Sequence, residues 1–145
     1  MNYNVLAFLL MPLIFPIIML IFGILMKYGW PKEINGLAGF RTARAMESIE
    51  AWRFAHDLCG RLWYKWGVIL LLFNIFAAIA IVLFTFLQCD CPRISLDAIS
   101  STTAIAYFII FMSLHSLIML ATAIYTQVKL CQNFNKDGTR KNLGE

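Results

Sequence analysis

Charge is what this sequence has least of. No Asp, Glu, Lys or Arg occurs before Lys27, none lies between Trp66 and Cys89, and none lies between Ala98 and Val128. Only 14% of the 145 residues are charged, where a soluble domain carries about 25%. Histidine is scarce too, with His56 and His115 the only two. With four cysteines besides, of which Cys89 and Cys91 stand beside Asp90 without a second ligand pair, no metal-ligand set is visible. There is no P-loop, no G-x-G-x-x-G, no Ser-Lys dyad and no matched acid and base. These absences argue against an enzyme, and the expectation is a protein with no catalytic residues, no metal and no cofactor.

What is present instead is three long apolar blocks, at about 5–26, 67–87 and 98–128. A membrane helix needs about 20 apolar residues to cross about 30 Å of hydrocarbon. The first two blocks fit that length, and the third is long enough to tilt. The first block lacks a basic flank and a small-x-small cleavage site, so it reads as a retained helix and not as a signal peptide. The mean hydropathy of +0.74 agrees. The fold class expected is an all-α integral membrane protein: a single membrane domain over 1–145, with a loop at 27–66 and a tail at 129–145.

The cations give an orientation. Seven of the twelve Lys and Arg fall in 27–66, four follow the third block, and one, Arg93, lies between the second and third blocks. The positive-inside rule then puts the N-terminus outside and the loop and tail in the cytoplasm. The net charge of +4 follows from this asymmetry and is no sign of nucleic-acid binding. Cys59 and Cys131 would face the reducing side. Cys89 and Cys91 would lie outside, able to bridge two copies of the chain.

The loop 27–66 holds the stretch NGLAGFRTARAMESIEAW. Gly29, Pro31, Gly36 and Gly39 disfavour a regular helix before about Phe40. Tyr28 and Trp30 suit the headgroup level. Ser48 is a plausible N-cap, with Glu50 in the first turn behind it. Trp52, Ala55, Cys59, Leu62, Trp63 and Trp66 then recur on one helical face, and Glu50, Arg53, Asp57 and Arg61 on another. This pattern predicts an amphipathic cytoplasmic helix between the first and second spans, lying on the membrane surface.

Asn35, then Gly39-Phe40-Arg41-Thr42, an acidic turn, Trp52, His56 and Gly60 together resemble the SdpI family of bacterial membrane proteins. The likeness is specific over about 35–66, and the chain resembles the C-terminal three-helix part of a longer relative. The resemblance implies a cell-membrane (inner-membrane) protein. Its founding relative protects the cell against a secreted toxic peptide and can hold a repressor at the membrane. The expected partners are the lipid bilayer, a toxin peptide, a cytoplasmic regulator and a second copy of the chain. The expected contact set is Asn35, Gly39, Arg41, Thr42, Arg44, Trp52, Arg53 and His56.

Polar residues inside the apolar blocks give the alternative, an oligomeric transporter of a small molecule or lipid. Asn74 and His115 would line its pathway. Their bland reading is helix–helix bonding. Pro12, Pro16 and Gly23 lie near one face of the first span and predict a kink there.

Overall fold

A computed structural model of the chain describes residues 3–29, 31–88 and 99–141. Trp30, Cys89, Cys91 and Arg93 lie outside the described residues. The described chain is all helical: α1 (Tyr3–Leu10), a single 3-10 turn (Met11–Leu13), α2 (Ile14–Lys27), the short α3 (Ala43–Met46), α4 (Ile49–Gln88) and α5 (Ser101–Asn133). It has no β-strand among the described residues, and one isolated antiparallel bridge pairs Phe134 with Arg140. Three stretches are long and apolar enough to cross a membrane: Val5–Lys27, Ile49–Leu87 and Ser101–Asn133.

The break in the first of these follows from its prolines. Pro12 has no N–H to donate and opens the 3-10 turn. Pro16 sits in the first turn of α2, where that lack costs nothing. Pro12, Pro16 and Gly23 are all buried, so the broken face is turned toward protein.

The three long units alternate in direction. Gly23 of α2 meets Gly60 and Tyr64 of α4, and Leu20 meets Gly67. Trp63 and Asn74 of α4 reach Thr122 and His115 of α5. Phe8 and Phe15 of the first span stack on Phe108 and His115. Their outward faces carry exposed Ile14, Ile17 and Ile21, Leu72, Phe76 and Phe84, and Ile110, Leu117 and Ile124. Water would make such faces an aggregation liability, and lipid makes them the favoured surface.

At ~1.5 Å per residue, the 40 residues of α4 span about 60 Å, twice the hydrocarbon thickness. Its charges stop at Lys65, so the charge-free half is the part fit to cross, and the other half carries all the charges. The sequence pattern pointed to an amphipathic helix on the membrane surface that leads directly into the second span. Residues 49–66 are the first half of α4, continuous with that span. The faces partition as expected: Trp52, Ala55 and Cys59 are buried, and Glu50, Arg53, Asp57 and Arg61 are exposed. Protein covers Trp52, Ala55 and Cys59 on the apolar face, while Leu62, Trp63 and Trp66 are half-buried. No proline interrupts the run from Ser48 to Gln88, and Gly60 and Gly67 serve close contact with α2, so nothing stops the helix.

Two small cores result. At one end Val5, Leu9, Ile99, Ala104, Tyr107 and Phe111 pack together. At the charged end Ala45, Ala51, Ala55, Leu130 and Phe134 pack beneath Phe40 and Phe54. This second core joins the loop, the start of α4 and the end of α5 into one head.

Candidate functional site

The head is built around His56, which is buried. The Phe40 N–H donates to its Nε2 at 2.9 Å, and its Nδ1 lies 2.7 Å from the Trp52 carbonyl oxygen. Nε2 therefore accepts and Nδ1–H donates, which fixes a neutral tautomer. The Trp52 ring packs on the imidazole at 4.2 Å, and its Nε1–H donates to the Pro31 carbonyl at 2.8 Å. Two adjacent turns of α4 thus pin both arms of the loop.

The loop fits this anchor through local chemistry. Asn35 Oδ1 accepts from the Leu37 and Ala38 amides at 3.0 and 2.9 Å, closing a tight turn. Gly39 has φ +111°, and an added Cβ there would overlap His56 Nε2. Thr42 caps α3 through the Ala45 amide. Ser48 caps α4, accepting from the Ala51 amide at 3.1 Å, while its hydroxyl donates to the Gly138 carbonyl at 2.7 Å. Arg44 donates to the carbonyls of Cys131 and Phe134 at 3.2 and 3.3 Å, where the last turn of α5 leaves acceptors unpaired. Arg140 pairs with Glu50 at 3.2 Å. In the C-terminal turn, hydrogen bonds from Thr139 hold the Asp137 carboxyl below its usual range.

Of the eight contact residues expected from sequence, six are therefore engaged inside the head: Asn35, Gly39, Thr42, Arg44, Trp52 and His56. Arg41 and Arg53 are exposed, and neither has a hydrogen-bond or ion-pair partner among the described residues.

The second polar group lies between α4 and α5. Asn74 and His115 are fully buried. Asn74 Nδ2 donates to the Leu70 carbonyl at 2.8 Å and lies 2.9 Å from His115 Nε2. The Tyr107 hydroxyl reaches Asn74 Oδ1 and its carbonyl oxygen at 3.1 and 3.2 Å. His115 Nδ1 has no partner among the described residues. The arrangement ties one turn of α4 to three turns of α5. Asn74→Leu would leave His115 Nε2 unpaired and Tyr107 with only the backbone carbonyl of residue 74, and should cost about 1–2 kcal/mol. Unfolding in mixed micelles measures it. The triple variant Asn74→Leu/Tyr107→Phe/His115→Leu should recover part of the loss, because no buried polar group is then left alone.

Sequence reasoning set Tyr107 two turns from His115 and Gly67 among packing residues, but it did not pair Tyr107 with Asn74 or mark Gly23 and Gly60 as crossing points. The spacing of Gly60 and Gly67, two helical turns apart on one face, was the available signal. It also missed Arg44 as a cap for α5.

Residues 32–126 match the model of the SdpI/YfhL protein family. This chain belongs to that family. No curated protein and no solved structure matches it. The SdpI/YfhL match opens at Lys32, just after α2, and takes in the loop, all of α4 and most of α5. The residues from Asn35 to His56 that build the head all fall within it. With its three apolar helices, this SdpI/YfhL member is a multi-pass membrane protein.

Proposed function

We propose that this chain is an immunity or resistance protein of the bacterial inner membrane, protecting its cell against a secreted peptide toxin. Membership of the SdpI/YfhL family carries this reading. We further infer that the head faces the cytoplasm, with the N-terminus outside, and docks a regulator there. The placement of eleven of twelve cations in the loop and tail supports that orientation. Arg41 and Arg53 supply the contact, since both stand exposed, Arg41 on a loop braced by Asn35, Gly39, Thr42 and Arg44, and Arg53 on α4 beside the Trp52 and His56 that pin that loop. A preorganised surface binds without the cost of ordering a loop.

The test is survival under toxin challenge, in cells lacking the protein and re-expressing it. Wild type should restore survival. Arg41→Glu should insert normally, as judged by membrane abundance, yet lose the regulator in a pull-down from gently solubilised membranes. Killing unchanged by wild-type expression would sink the immunity reading. Normal function in Arg41→Glu with loss in His115→Ala would favour transport through the Asn74–His115 layer instead.

A further inference from the structure

A pocket of about 350 Å³ opens where α2 ends against the head. That is within the range of about 300–1,000 Å³ usual for small-molecule sites. Its walls are Met26, Tyr28 and Pro31, and its cations are Lys27, Lys32 and Arg53. His56 and Asp57 also line it. Both ring nitrogens of His56 are already engaged, so it is wall and not ligand. Asp57, the one carboxylate of the lining, is paired with Arg61 at 2.6 Å. Among the described residues no carboxylate lies within ion-pair distance of Lys27, Lys32 or Arg53. Lys27 rests its ammonium over the Tyr64 ring at 5.2 Å, while Lys32 and Arg53 are exposed.

We propose that this pocket binds the phosphate of an anionic phospholipid headgroup, held chiefly by Lys32 and Arg53. Cations converging on a half-enclosed space, with the local carboxylate already neutralised, leave a positive field with no internal partner. An Arg fork and a Lys point charge both suit phosphate oxygens. The height of the pocket argues for lipid over a soluble phosphate. Met26 and Lys27 line it, and they are the residues at which the charge-free stretch of the first span ends. The opening is therefore level with headgroups, and exposed Ile21, Ile24 and Leu25 of α2 offer apolar surface for acyl chains beneath. This inference shares Arg53 with the proposed regulator contact but requires neither a toxin nor a regulator, and its lipid readout is separate from the survival test.

The experiment uses the full chain in phosphatidylcholine nanodiscs titrated with phosphatidylglycerol, with bound lipid counted by native mass spectrometry. Wild type should retain phosphatidylglycerol selectively. Lys32→Gln/Arg53→Gln should weaken that retention about 30-fold, at about 1 kcal/mol for each cation near an anionic surface. Both residues are exposed, so the variant should fold. Lys65→Gln/Lys136→Gln removes the same charge elsewhere and should retain the lipid. An equal loss in that control would show diffuse adsorption and overturn the site. Glycerol phosphate or inorganic phosphate displacing the lipid at comparable concentration would overturn the lipid assignment in favour of a soluble phosphate ligand.

Discussion

Gly39→Ala should unpin the loop from α4 while leaving the three long helices intact. The backbone at Gly39, with φ +111°, is one that L side chains rarely adopt, and holding alanine there costs about 1–3 kcal/mol. The steric problem adds to this. The new methyl would overlap His56 Nε2 and would meet His56 Cε1 at 3.0 Å and Pro31 Cγ at 3.2 Å. His56 cannot retreat without giving up the Phe40 amide, and the Trp52 ring stacks against it. The combined loss should reach about 3–5 kcal/mol, the range of the most damaging single substitutions. Far-ultraviolet dichroism should barely change. Hydrogen exchange at the Phe40 amide should accelerate strongly, and Trp52 should become accessible to a quencher. Wild-type protection of that amide in Gly39→Ala would refute the anchor described for His56.

Gly23→Leu should act on the bundle itself. A Cβ at Gly23 would meet the Tyr64 amide nitrogen at 2.6 Å, the Tyr64 Cα at 3.0 Å and the Gly60 carbonyl oxygen at 3.1 Å. All three are backbone atoms, so no side chain can rotate away. Gly60 faces the mirror situation, with the Lys27 nitrogen and the Met26 Cβ each at 2.8 Å from its added Cβ. Close backbone approach is how membrane helices gain packing energy, because lipid supplies no hydrophobic drive between them. Forcing α2 and α4 apart should cost about 3 kcal/mol or more. The measurement is unfolding in mixed micelles, with Gly36→Leu as a control: a Cβ at Gly36 meets nothing within 4 Å, and that variant should be near neutral. Equal stability of the two variants would mean that α2 and α4 do not cross at these glycines.

The three apolar stretches were legible because a bilayer imposes a length and forbids charge, and both can be counted along the chain. Pro12 and Pro16 announced the break in the first span, since a missing N–H acts locally. Asn74 and His115 stood out as polar residues in apolar runs, although their bond to each other needs α4 and α5 placed side by side. The head was much less legible. Arg44 bonds to carbonyls 87 and 90 positions away, and Ser48 bonds to Gly138 across 90 positions. No local pattern carries such pairings. The pattern over 49–66 marked an apolar and a charged face, but periodicity cannot say what covers an apolar face. The same limit bears on Trp52, His56 and Asn35. Sequence marked them as special, and the geometry uses them to hold the loop from within.

The bonds that close the head also set an order on its making. Arg44, Ser48 and Glu50 are each made 90 residues before their partners Phe134, Gly138 and Arg140. At roughly 5–20 residues per second, several seconds separate the two halves of each contact. Until α5 has been inserted, the loop has only α4 to hold it, and the apolar faces of Ala51 and Ala55 lack Leu130 and Phe134. A half-inserted chain is thus chemically marked as unfinished on the side that carries the loop. The completed head certifies that all three passages through the membrane have been made.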